Sequence, residues 1–213
     1  MPSPELLSRA LVAVDPSVTS LEEFQLSSGI KSRTVARSVV EFFAAAGIGS
    51  HSGAGISFSQ ADRMKAAMTC MQRGCDVHEL SNRISWKDFE QLASESLKSF
   101  GYQTRTNVRF VRPRMEIDVV GIMSQLALAV DCKHWQHINR SSILESSKKQ
   151  AARASRLVER KSSIRKVIPI ILTLNSESVK FVDRIPIVPI VQFRSFLQDM
   201  HAYLPEIRVI SHT

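Results

Sequence analysis

The sequence predicts an α/β chain: a mixed sheet flanked by helices, preceded by a mostly helical winged helix-turn-helix domain. Three observations carry this. Apolar residues recur at helical spacing through residues 4–46, whereas 116–119 and 130–133 alternate with a period of two, the spacing of strands. Two later runs, Val167-Ile168-Pro169-Ile170-Ile171-Leu172 and Ile185-Pro186-Ile187-Val188-Pro189-Ile190, are nearly continuous and apolar, as in strands covered on both faces. The charge is also divided. Residues 1–80 hold 7 Lys/Arg against 8 Asp/Glu, a net of −1, and residues 81–213 hold 21 against 12, a net of +9. These suggest a winged helix-turn-helix domain over 1–80 and a separate, basic α/β domain over 81–213.

In chain order, Leu6, Leu7, Ala10, Leu11 and Val14 predict a helix that Asp15-Pro16-Ser17 ends. Ser20 caps a second helix over Leu21–Leu26, and Ser32 caps a third whose apolar positions Val35, Val39, Phe42 and Phe43 run to Gly47. This is a helix-turn-helix pattern, and alternation over 48–58 adds a small hairpin as its wing. Lys31, Arg33 and Arg37 crowd the start of the third helix, where contacts to a DNA groove usually fall. The domain's net charge leaves a second use open, docking of a protein partner. A further helix spans 59–73. Cys70, Cys75 and His78 have no fourth zinc ligand at a common spacing, so buried or idle thiols are expected.

Ser85 caps a helix from Trp86 to Phe100, with Trp86, Phe89, Ala93, Leu97 and Phe100 inward and Glu90 at the edge of that face. Residues 102–109 form a strand, and Arg112-Pro113-Arg114 a basic turn. In Met115-Glu116-Ile117-Asp118-Val119-Val120-Gly121, Glu116 and Asp118 share one face. A turn at Met123-Ser124-Gln125 leads to Leu126–Val130 and Asp131-Cys132-Lys133, so Asp118 meets Asp131 and Lys133 on neighbouring strands. Paired carboxylates hold a hard divalent cation through oxygen. A cation so held polarises a phosphoryl oxygen and activates water.

An acid on one strand and an acid-x-Lys triplet on the next resembles the PD-(D/E)xK nuclease superfamily, with its restriction-endonuclease-like fold; Ile117 stands where that pattern has proline. The flanks extend the resemblance over 85–203, toward the Mrr-like and archaeal Holliday-junction-resolvase-like branches. Trp86-Lys87-Asp88-Phe89-Glu90-Gln91-Leu92 with Phe100-Gly101-Tyr102 is similar to their first helix. Gln150-Ala151-Ala152-Arg153, in a helix over 141–161, is similar to their Gln-Ala-x-Arg string. The resemblance implies magnesium, with manganese able to substitute, held by Asp118, Asp131, the Cys132 carbonyl and Glu90. It implies that Lys133 orients water or meets developing charge, and that Gln150 helps. Glu116 is a further candidate acid.

Lys149, Arg153, Arg156 and Arg160 recur along one side of the same helix and are read as phosphate contacts. Trp135, between His134 and His137, is read as structural. A strand at 182–191, placed at a sheet margin by its prolines, and a helix at 192–203 close the chain. Three cysteines and no basic-then-apolar start suggest a cytoplasmic protein, and no apolar run is long enough for a membrane span. A pI near 9.8 invites DNA as partner, and cutting both strands implies a homodimer. The expected activity is a metal-dependent endodeoxyribonuclease in restriction, defence or DNA repair. Two alternatives are a catalytically idle DNA-binding regulator and a structural subunit of a repair complex.

Overall fold

The computed structural model describes residues 1–52, 55–76, 79–80, 82–133, 140–174 and 178–211. The chain divides into two compact units, Met1–Leu92 and Ala93–Thr213. The expected boundary after residue 80 precedes helix α5 (Trp86–Ser99), whereas the units divide within that helix.

The first unit is built on α1 (Pro4–Ala10), α2 (Leu21–Ser28), α3 (Arg33–Ala45) and α4 (Asp62–Gln72), with a two-stranded hairpin of β1 (Ser50–Ser52) and β2 (Gly55–Ser57). Each start has its reason in the sequence. The side chains of Ser3, Ser20 and Ser32 accept hydrogen bonds from Leu6, Glu23 and Val35 backbone N–H groups, satisfying donors that a helix start leaves open. Gly29 ends α2 at φ +67°, a conformation that costs glycine little. Buried Phe24, Val39, Phe43 and Ile48 form the interior of this unit. At the start of α5, Ser85 and Asp88 bond reciprocally as a capping box. Trp86, expected inward, is 49% exposed. It is the first residue of the helix, one turn short of buried Phe89 and Ala93, so the apolar stripe begins after it.

The second unit is a mixed α/β layer. Strands β3 (Gln103–Phe110), β4 (Met115–Met123), β5 (Leu126–Lys133), β6 (Lys166–Thr173), β7 (Lys180–Val182) and β8 (Ile185–Pro189) lie in the order β3-β4-β5-β6-β8-β7, and β9 (Ile210–Ser211) pairs with β6 to make seven. β3, β4 and β5 run antiparallel. β5 and β6 are parallel, joined across α6 (Arg140–Arg160). Pro169 falls between the β6 residues paired with β9 (166–167) and those paired with β8 (171–173), where its missing N–H breaks no ladder on that side. The two-proline strand β8 is one place in from the margin, and the three-residue β7, which the sequence does not announce, is the edge.

Helix α6 covers one face. Its Ala154, Leu157 and Val158 pack with Ile117, Val120, Ala127 and Ala129. Burying a side chain such as Leu157 stabilises by about 1.5–3 kcal/mol. On β4, Gly121 lets the end of α5 approach: a Cβ there would meet Leu97 at 3.0 Å. The closing segment is broken into α7 (Phe193–Gln198) and α8 (Met200–Tyr203) rather than one helix.

Candidate active site on strands β4 and β5

The hairpin between β4 and β5 forms where expected, with Ser124 at φ +54° in the turn. Its register pairs Val119 with Val130, so the next step outward sets Asp118 beside Asp131. The carboxylate of Asp118 lies against the neighbouring strand: its Oδ2 accepts the Cys132 backbone N–H at 2.7 Å. The strict alternation of β4 stops here. Ile117 and Val120 both belong to the cluster under α6. The β3–β4 ladder omits the pair Asn107 and Asp118, and Asn107 has φ +52°. Asp118 thus sits where the β3–β4 ladder skips one pair and just beyond the last pair of the β4–β5 ladder.

Asp131 shares its strand face with Ala127 and Ala129 and so points toward α6; it is 1% exposed. A buried carboxylate needs compensation. Arg153 Nη1 donates to Oδ1 at 2.7 Å, and Lys133 Nζ donates to Oδ1 at 3.2 Å. Lys133 Nζ also lies 2.9 Å from Oδ2, as an ion pair without the alignment of a hydrogen bond, so Oδ2 is a buried oxygen with no hydrogen-bond donor. Gln150 is fully buried. Its Nε2 donates to the carbonyls of Ala129 and Ile170, on adjacent strands, and its Oε1 accepts from Arg153 at 3.4 Å. The amide that the sequence places on a core stripe therefore staples α6 to β5 and β6 and steadies Arg153.

The basic side of α6 is less uniform than its spacing suggests. Arg153 is turned inward to Asp131. Arg156 donates to the Arg112 carbonyl in the β3–β4 turn and pairs with Glu159, which braces that turn. Lys149 is exposed and paired with Glu145, whose carboxyl is held below its ordinary range by that hydrogen bond and charge. Arg160 is exposed. Next to it, burial and then the charge of Arg105 lower the Lys161 ammonium from its usual value.

A groove of about 780 Å³ runs beside Arg153, between α6 and the β3–β4 turn. Phe110, Met115 and Glu116 line it with Arg109, Arg114 and Lys149. Glu116 pairs across the ladder with Arg109 at 3.2 Å. The sequence marks the turn as basic, but not that its apolar and cationic residues close a groove with α6.

Glu90 lies on α5 in the first unit and is half-buried. Lys31, Arg33 and Arg37 are exposed at and just before the start of α3. Cys70, Cys75 and Cys132 are buried free thiols. His78, His134, Trp135 and His137 lie outside the described residues.

No protein-family model matches the chain. An uncharacterized protein of Archaeoglobus fulgidus is 30% identical over 130 residues, covering 58% of this chain and 97% of the relative. The chain belongs to that protein's family. Two solved structures share limited likeness. The protein of unknown function AF1548 gives a TM-score of 0.27 at 17% identity, over 40% of this chain and 46% of that one. Protein VC1899 from Vibrio cholerae gives 0.38 at 10% identity, over 96% and 52%. The chain thus spans about half the length of these solved proteins.

Among the described residues no group of three or more His, Cys, Asp or Glu side chains converges as a metal cage. The pair of Asp118 and Asp131 still suits magnesium, which keeps several waters and takes one or two carboxylates. Asp131 Oδ2 is buried, with the Lys133 ammonium 2.9 Å away.

Proposed function

We propose that the chain is a metal-dependent endodeoxyribonuclease of the restriction-endonuclease-like, PD-(D/E)xK type. One observation carries the reading: buried Asp131 has Lys133 against its carboxylate, while Asp118 reaches across from the next strand to the Cys132 N–H. This is an acid pair with an adjacent amine at the end of a hairpin. Asp118, Asp131 and the Cys132 carbonyl would hold magnesium or manganese, with Glu90 as a further acid. When bound, the ion supplies a Lewis acid at the phosphoryl oxygen and lowers the pKa of a water.

The chain's own residues have definite tasks in this reading. Lys133 orients the attacking water or meets charge on the phosphoryl oxygens. Gln150 fixes α6 over the site, and Arg153 balances Asp131. Lys149 and Arg160 contact phosphates electrostatically. Helices α2 and α3 with the β1–β2 hairpin act as a winged helix, presenting Lys31, Arg33 and Arg37 to DNA or docking a partner. A homodimer would place two sites on two strands.

A second reading has one observation in its favour: Arg153 and Lys133 together already neutralise Asp131, as in a DNA-binding regulator that keeps the fold without turnover. Cleavage of plain, methylated and branched DNA with magnesium or manganese separates the two. Asp131→Ala and Lys133→Ala should abolish cutting while DNA affinity persists. Full activity in either variant would remove the assignment.

A further inference from the structure

The groove beside Arg153 has a composition that contact with a phosphate backbone does not require. Cations alone suffice for phosphates. Here Phe110, Val111 and Met115 supply apolar wall, and Glu116 adds a carboxylate. A base presents a π face that stacks on aromatic and apolar side chains, and amino groups on its edge that a carboxylate accepts from. In uninterrupted duplex both features are covered, the face by stacked neighbours and much of the edge by pairing.

The site is held open by its own contacts. Val111 stands 84% exposed at the tip of the β3–β4 turn, and Arg156 ties that turn to α6 through the Arg112 carbonyl. The groove's size, about 780 Å³, falls within the range of small-ligand sites and leaves room for a nucleotide. Arg109, Arg114 and Lys149 line it with positive charge for the flanking phosphates. Arg153 both lines the groove and donates to Asp131, so a nucleotide seated there has the acid pair beside it.

We propose that this groove takes one unpaired nucleotide, so that the substrate is DNA with single-stranded character, such as a flap or gap, in preference to continuous duplex. This rests on the nuclease reading above and narrows it to a substrate class.

The test is fluorescence anisotropy with the full chain in EDTA, which stops cleavage, at one fixed salt concentration. The probes are a labelled single strand, the blunt duplex of the same sequence, and that duplex carrying a single-stranded flap. The wild type should bind strand and flap about tenfold more tightly than blunt duplex, the size of one base–aromatic contact. Phe110→Leu keeps an apolar side chain in place and removes the π face, and its loss of strand and flap affinity should exceed any loss of duplex affinity. Val111→Ser, at the exposed tip, should act in the same direction, and thermal melting confirms that both variants fold. Equal affinity for all three probes in the wild type overturns the inference and leaves the nuclease reading standing. Equal losses on all probes in Phe110→Leu also overturn it. Failure to bind any of the DNAs overturns the inference, while cleavage with magnesium or manganese decides the nuclease reading by itself.

Discussion

Replacing Arg153 by Met should expose how much of the second unit depends on neutralising Asp131. The variant keeps a long apolar stem but removes the guanidinium 2.7 Å from a carboxylate that is 1% exposed. Breaking a buried charge pair by removing one partner costs about 3–5 kcal/mol. Arg153 retains 21% exposure and Lys133 still faces Asp131, which moves the expected cost to about 2–3 kcal/mol. For a chain of this size that corresponds to a fall in Tm of roughly 4–12 °C. Differential scanning calorimetry in EDTA measures it. Adding Asp131→Asn to the variant should recover most of the loss, because no buried charge is then left unpaired. Magnesium should raise the melting temperature of Arg153→Met more than that of the wild type, since a bound cation supplies the missing charge. Melting of Arg153→Met at the wild-type temperature would refute the reasoning, and so would failure of Asp131→Asn to restore it.

Gln150→Leu should lower stability by about 1–3 kcal/mol, the usual cost of leaving buried polar groups without partners, read as a shift in urea midpoint. Lys149→Ala with Arg160→Ala should flatten the slope of log affinity against log salt for duplex DNA by about 1.8, if each contacts one phosphate; an unchanged slope returns them to a solvated surface. Burial raises the Cys70 and Cys75 thiols above their ordinary range, with each sulfur close to the other. Both should stay protonated near neutral pH and react with a thiol reagent far more slowly in the folded chain than in denaturant. A fragment over 81–213 keeps the Ser85–Asp88 cap and all of α5, and should melt higher than one over 93–213, which cuts that helix; both can be compared by circular dichroism.

What the sequence discloses is what is local. The capping serines, the period-two alternation and the turn at Ser124 locate α2, α3, β4 and β5 because each depends on residues within a few positions. The link from Gln150 to Arg153 is legible for the same reason, being three residues along one helix. The partners of the acid site are different. Arg153 reaches Asp131 over 22 positions and Arg156 reaches the Arg112 carbonyl over 44, so a helix face that reads as a uniform basic stripe is divided by tertiary packing. The gap in the β3–β4 ladder opposite Asp118 is also hidden, because it falls at left-handed Asn107 in the neighbouring strand. β7 is too short to carry a period, and its place at the sheet edge follows from pairing alone.

The margins of the sheet have a consequence for how copies of this chain meet. β3, one outer strand, carries exposed Arg105 and Arg109 and a left-handed residue midway, so a second strand laid against it would face like charge and a broken hydrogen-bonding row. The opposite margin, β7, offers only three residues. Both rims thus discourage the sheet from growing into its neighbour, which protects against fibrous association.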